Sequence, residues 1–404
     1  MKKLLFISLF LALLFPVKSQ NPFSDSTVVS ILTCSPGPAV YARYGHTGLR
    51  FFDPQTRNDV VFNYGMFSFS EDNFILKFVK GHTYYQLAAE HTVSFMYQYE
   101  ARNSSITEQI LNLTPDERKR IIDLVLENYK PENRTYLYNF VFDNCATRPF
   151  YKISEGIAGE VIIDTLANRQ TFRQWVAKYV GTDKWLMFGI DLGFGSDADK
   201  MCTPEQSLFL PEILMEHLNS AKIIDPEGER NLVSAVSVLV NAKKGIDISR
   251  ISFSPVFVNT LILIILSLLT ILTFKNQKGL KWITFILLII SGLVGVLLAF
   301  LMFISIHPLV HYNWNILWLN PLNLIAACLL FSDKFKKFIF YYILISALLI
   351  VLLAIIAIFN VQYFNPAEYP LWILYVFLYL CRLKDYSKFF RTKSKDNGEL
   401  KIEN

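Results

Sequence analysis

The pattern of apolar and polar positions divides this chain in two near residue 252. Before that point, and after the first nineteen residues, no apolar run approaches the ~20 residues needed to cross ~30 Å of hydrocarbon. Alternating or β-branched runs at 27–33, 49–52, 60–63 and 83–88 predict strands. Thr114-Pro115-Asp116-Glu117 predicts a helix start: Thr114 can cap, Pro115 suits the first turn, and Glu117 can reach back, ahead of an apolar face of Ile121, Ile122, Val125 and Leu126. An α+β domain is expected. Beyond Pro255 the apolar stretches lengthen, and spans are expected at about 256–274, 282–305, 315–331, 338–359 and 367–382. The third is interrupted by Asn320-Pro321-Leu322-Asn323, which leaves a re-entrant segment as its alternative.

The loops orient these five helices. Lys275, Lys278 and Lys281 follow the first span, Lys334, Lys336 and Lys337 the third, and Arg382, Lys384, Lys388, Arg391, Lys393 and Lys395 the fifth. The opposite connections, 307–313 and 360–370, lack Lys and Arg. Basic loops stay inside, so the α+β domain is expected outside and the C-terminus in the cytoplasm. Lys2-Lys3, an apolar run over 4–15 and Ser19 resemble a secretory signal peptide. The expected organisation is a signal peptide at 1–19, an extracytoplasmic domain at 20–252, a transmembrane domain at 253–383 and a basic cytoplasmic tail at 384–404. With 52% hydrophobic and 18% charged residues the chain is neither disordered nor a disulfide-dense mini-protein. A net charge of +5, gathered in short loops, argues against a nucleic-acid partner.

Chemistry points first to cysteine. Cys328 and Cys381 fall in spans, leaving Cys34, Cys145 and Cys202 on the oxidising side, where a Cys34–Cys202 disulfide is one possible pairing. Cys145, in Asp143-Asn144-Cys145-Ala146-Thr147, follows an aromatic stretch and opens a helix through Phe150 and Tyr151. A helix N-terminus favours thiolate; a buried structural cysteine is the other reading. A nucleophilic thiol needs a base, and His46, flanked by Gly45 and Gly48 at a strand start, is the best placed. His82 on a strand and His91 at a helix start read as capping or surface residues, and His217 as a solvated position on an amphipathic helix. Asn63, before Tyr64-Gly65, would orient the imidazole or merely begin a turn. The carboxylates over 191–199 lack calcium-loop spacing and read as a solvated loop. His307, His311, Asn313, Trp314 and Asn320 are expected at the outer interface, either binding a lipid headgroup or belonging to the aromatic belt. No metal cluster, phosphate loop or dinucleotide fingerprint is present, so no metal or cofactor is implied.

The segment Leu32-Thr33-Cys34-Ser35-Pro36-Gly37 running on to Tyr44-Gly45-His46-Thr47, with Phe142-Asp143-Asn144-Cys145-Ala146-Thr147-Arg148-Pro149, resembles the periplasmic domain of the Lnb family, membrane-bound lipoprotein N-acyltransferases of Gram-negative bacteria. The likeness continues through His307-Pro308, Asn313-Trp314-Asn315 and Trp318-Leu319-Asn320-Pro321. Pro149-Phe150 departs from the more polar continuation expected there. The His-before-Cys order also resembles circularly permuted papain-like folds of the NlpC and lecithin:retinol acyltransferase type. The resemblance implies an inner-membrane acyltransferase with Cys145, His46 and Asn63 as catalytic residues. Tyr44 and the Cys145 N–H would meet the oxyanion, and Asn144, Arg148, His307 and Asn313 would bind substrate. Its donor would be a phospholipid and its acceptor a diacylated lipoprotein. A membrane-tethered cell-wall peptidase or amidase on the same fold and a non-catalytic scaffold are the competing readings.

Overall fold

The structure, a computed structural model, describes residues 22–67, 70, 72–164, 169–242, 253–273 and 277–399. The expected signal peptide lies outside the described residues. Seven strands form one antiparallel sheet: β1 (Val28–Cys34), β2 (His46–Phe52), β3 (Asp59–Met66), β4 (Tyr84–His91), β5 (Ile106–Leu111), β6 (Thr135–Leu137) and, after three small strands, β10 (Val233–Val240). Their order is β10-β5-β1-β2-β3-β4-β6. The small strands β7 (Glu160–Ile162), β8 (Lys222–Asp225) and β9 (Gly228–Asn231) make a second antiparallel sheet. The four expected strands are thus β1 to β4, the first shifted by one residue and the other three lengthened by a few.

The helices of this domain are α1 (Phe74–Lys80), α2 (Thr92–Ala101), α3 (Pro115–Tyr129), α4 (Thr147–Gly156), α5 (Phe172–Val180), α6 (Lys184–Gly193), α7 (Pro204–Ser207) and α8 (Pro211–Ser220). The capping box at Thr114 is formed, with the Glu117 N–H donating to Thr114 Oγ1 at 3.3 Å and the Thr114 N–H to Glu117 Oε2 at 2.9 Å. Ile121, Ile122 and Val125 then bury against α4 and the sheet, in a core that includes Phe51, Phe62, Tyr64, Phe150 and Ile153. This core fixes α4, and so Cys145, over the sheet.

Several expectations are corrected. All five cysteines are free thiols; Cys34 packs with Val61, Phe95 and Ile106, whereas Cys202 lies in a separate cluster with Phe172 and Trp175. His217 is not solvated: it is fully buried on α8, its Nε2 3.0 Å from Ser207 Oγ, and burial pulls its pKa down. His82 stands in the loop before β4, not on it. The 191–199 stretch is not a solvated loop either. Asp191 ends up 1% exposed and accepts a 2.8 Å bond from Arg173 Nη1, while Asp199 Oδ1 accepts one of 2.7 Å from Arg173 Nε.

The C-terminal region is helical: α9 (Pro255–Thr273), α10 (Gln277–Phe303), α11 (Leu322–Leu329), α12 (Lys336–Ile358) and α13 (Tyr369–Glu399). Among the described residues three helical stretches are long and apolar enough to cross a membrane: Pro255–Thr273, Lys278–Phe303 and Asp333–Ile358. The third expected span, with a re-entrant segment as its alternative, consists of a 3-10 turn, Trp314–Leu317, followed by α11 of eight residues, ~12 Å at ~1.5 Å each. The break is local. Asn320 Oδ1 takes the Leu322 N–H at 2.9 Å, and Pro321 caps the start of α11. The fifth expected span begins α13, which continues as one helix as far as Glu399, into the segment expected to be the basic tail.

The two parts meet at the outer ends of these helices. Asn313 Nδ2 donates to Leu192 O at 2.7 Å, Asn365 Nδ2 to Asp191 Oδ2 at 2.8 Å, and the Tyr363 N–H to Asp199 Oδ2 at 3.0 Å. The Ile306 N–H donates to Lys80 O at 3.0 Å. Buried polar groups are thereby satisfied across the junction, which holds the α+β domain against the helical region.

Candidate active site

His46 opens β2, with its backbone opposite Cys34 of β1. Asn63 lies on the neighbouring β3, and its Oδ1 is 2.6 Å from His46 Nε2. The Asn63 amide nitrogen donates in turn to Glu90 Oε1 at 3.2 Å, which fixes the amide's orientation and makes Oδ1 the acceptor. His46 Nε2 therefore carries the proton. Nδ1 is left as the basic nitrogen.

Cys145 sits just before α4, whose N-terminal turn is built by Asn144: Asn144 Oδ1 accepts the N–H groups of Ala146 and Thr147 at 2.8 and 3.0 Å. This side chain is spent within the protein, since its Nδ2 donates to Phe140 O and Phe209 O at 2.7 and 2.8 Å. Asn144 thus holds the turn and does not face an entering ligand, contrary to the expectation of a substrate contact. The Cys145 thiol is bonded to the imidazole of His46. Burial opposes the charged form of both groups, but attraction between thiolate and imidazolium outweighs it, holding the thiol below its usual pKa and the imidazole above. The backbone N–H groups of Thr47 and of Cys145 itself also favour the thiolate. Thr47 is free to do so because the pairing of β2 with β3 begins only at Leu49.

Gly65, at φ +87°, leaves room above this pair. A Cβ there would stand 3.4 Å from Cys145 Cβ and 3.9 Å from His46 Cε1. Tyr99 of α2 lies over the imidazole, with ring centres 6.3 Å apart and planes 15° from parallel, and also bonds Cys34, whose thiol is pushed up by burial. Tyr99 and Glu90 were not singled out from the sequence. Alternation along β4 places Glu90 two positions from Ala88, the partner of Asn63, and is the one available signal.

The other expected site residues lie further out. Tyr44 packs 4.8 Å from Phe140 in a different apolar cluster from Cys145; burial raises its phenol to about 12. The groups that favour the thiolate are the His46 imidazole and the backbone N–H groups of Thr47 and Cys145, and Tyr44 is not one of them. Arg148 is engaged with Asp143 Oδ2 at 2.7 Å and lies 3.5 Å over the Tyr136 ring. His307 Nε2 is 2.7 Å from Phe78 O, so it joins the helical region to α1. Asn313 is buried, donating to Leu192 O and accepting from Asn315 N and Gln362 Nε2. Its partners make it a junction residue and not a headgroup ligand. No group of three or more metal-ligating side chains occurs among the described residues.

The ion pair predicts a pH signature. Thiolate persists below the ordinary range near ~8.5 and is lost only as pH falls through the lowered Cys145 pKa. The alkylation rate of Cys145, followed by mass spectrometry of its peptide, should stay high at neutral pH in the intact protein. In His46→Ala the inflection should move up into or above the ordinary thiol range, because burial then acts unopposed. An unchanged profile would remove His46 as the thiol's partner.

Comparison with known proteins gives two matches by family models. Residues 18–175 match the Lnb N-terminal periplasmic domain, and residues 247–388 match the Lnb transmembrane domain. No curated protein and no solved structure matches the chain.

Proposed function

Since the chain belongs to the Lnb family, a membrane protein with a periplasmic domain, we propose that it is a lipoprotein N-acyltransferase of the bacterial inner membrane. Cys145 is the nucleophile, His46 the base and Asn63 the residue that orients it. The observation that carries this reading is the Cys145 thiol hydrogen-bonded to an imidazole that Asn63 orients, in a domain that is hydrogen-bonded directly to the apolar helical region.

Cys145 Sγ attacks the carbonyl carbon of a phospholipid acyl ester. The S–C bond forms, the C–O bond breaks, and His46 gives its proton to the departing oxygen of the lysophospholipid. A thioester remains on Cys145. The free α-amine of an S-diacylglyceryl cysteine at a lipoprotein N-terminus then attacks it, His46 takes the amine proton, and the thiolate leaves with an amide formed. Negative charge on the tetrahedral oxygen meets the N–H groups of Thr47 and Cys145. A permuted papain-like arrangement suits this order, with the histidine on a strand before a helix-start cysteine. Five crossings, with α11 and the 3-10 turn before it completing the third, put the C-terminus in the cytoplasm. A helical region that holds the domain at the lipid surface gains proximity to donor and acceptor, an advantage a cell-wall peptidase does not need.

The test is chemical. Full-length protein in phospholipid vesicles should release lysophospholipid and carry a hydroxylamine-labile acyl group on the Cys145 peptide, discharged when a diacylated lipopeptide is added. Cleavage of cell-wall peptides without lysophospholipid would replace this reading with the peptidase one.

A further inference from the structure

Helix α1 (Phe74–Lys80) has no buried residue. Its Ile75, Leu76 and Phe78 are 77, 51 and 49% exposed, an unusual state for three large apolar side chains on one short helix. The helix is pinned at its C-terminal end to the chain leaving α10. Ile306 N–H donates to Lys80 O, His307 Nε2 lies 2.7 Å from Phe78 O, and Gly81 at φ +77° lets Ile306 approach so closely that a Cβ would stand 2.8 Å from its Cγ1. Phe303, Ile304 and Ile306 in that segment are also exposed. Since α10 is one of the membrane-crossing stretches, its end lies where hydrocarbon meets headgroups, and α1 lies there with it. Lys77 and Lys80 fall in the last turn of α1, at the level of anionic headgroups.

From this surface a row of rings runs inward. His307 and Phe78 are 5.9 Å apart between centres, Phe78 and Phe74 6.2 Å, Phe74 and Phe67 5.8 Å, Phe67 and Tyr85 4.7 Å, and Tyr85 and Tyr138 4.1 Å. Cys145 packs against the same core as Tyr85 and Tyr138. We propose that α1 and residues 303–306 dip into the outer leaflet of the membrane, and that the aromatic row is the track along which a phospholipid acyl chain passes from that leaflet to Cys145. The second half rests on the acyltransferase reading; the first does not. A row of mostly apolar rings gives the acyl chain a surface to follow out of water while its ester reaches a polar site.

Two experiments on the full chain in phosphatidylethanolamine–phosphatidylglycerol vesicles test it. A benzophenone side chain installed at Ile75 should give a covalent phospholipid adduct on irradiation, and the same group at Tyr97, exposed on α2, should not. Absence of the adduct at Ile75, or equal adducts at both positions, overturns the membrane contact whether or not the protein is an acyltransferase. In Phe74→Ser, acyl-thioester formation from vesicle phospholipid should fall about tenfold or more, while alkylation of Cys145 by water-soluble iodoacetamide keeps its rate. Equal thioester rates in the two proteins overturn the track. If the unaltered protein forms no thioester at all, the function reading fails and the track falls with it, and the Ile75 adduct alone decides the leaflet contact.

Discussion

Cells whose only copy carries Cys145→Ala should make lipoproteins whose N-terminal peptides are lighter by one acyl chain, with the loss essentially complete. The expected magnitude is large because a thioester route has no substitute for the sulfur: alanine leaves His46 nothing to deprotonate, and removing one member of such a unit costs on the order of 10^4-fold or more. The fold should survive, since Cys145 is half-buried and its replacement removes one atom from a turn that Asn144 holds through four hydrogen bonds. Mass spectrometry of a lipoprotein N-terminal peptide checks it. Full acylation in the presence of folded Cys145→Ala protein would end the proposal.

Arg173→Leu should destabilise the protein by about 3–5 kcal/mol. Arg173 is 4% exposed in its side chain and serves Asp191, Asp199 and the carbonyl of Gly195, the last at 3.2 Å. Leucine would strand Asp191, which is 1% exposed, with a negative charge and too few donors. Both carboxylates also receive donors from the 363–365 segment, so the loss should weaken the grip of the α+β domain on the helical region. Thermal unfolding of the detergent-solubilised full chain measures the effect. Asp191→Asn added to Arg173→Leu should recover part of it, because the stranded charge is then gone. A shift of under ~1 kcal/mol for Arg173→Leu would mean that these groups are solvated in practice.

Why Arg173 was invisible in the sequence is instructive. Its partners stand 18 and 26 positions away, and nothing in the local pattern of 191–199 marks those carboxylates as buried. His217 escaped for a similar reason: Glu216 beside it reads as a polar face, yet the packing of α8 turns the imidazole inward to Ser207. Local rules served where the interaction itself is local. The capping box at Thr114 needs only four consecutive residues, and β1 to β4 follow from alternation alone. Cys145, His46 and Asn63 were each noticeable from their neighbours, a helix start, a glycine-flanked strand start and a polar residue in an apolar strand. Their grouping is expected from the chemistry and from the resemblance, but the geometry that joins them depends on the ladder between β2 and β3 and on α4 packing over the sheet. Tyr99 and Glu90 enter only through that three-dimensional arrangement. The third expected segment is shorter than the others at α11 for a short-range cause, the Asn320-Pro321 break, which is visible in the sequence as an interruption.

The order of strands in the large sheet has a bearing on how the protein is made. β1, whose Cys34 stands opposite His46, is flanked on its other side by β5, and β5 is completed only by β10, the last strand before α9 among the described residues. The sheet that carries His46 and Asn63 therefore cannot close until the chain has been made as far as Val240, shortly before Pro255 begins the first apolar helix. Completion of the sheet and emergence of the first apolar helix fall at almost the same moment of synthesis. A nascent chain halted earlier would present an unpaired edge at β5 to its surroundings.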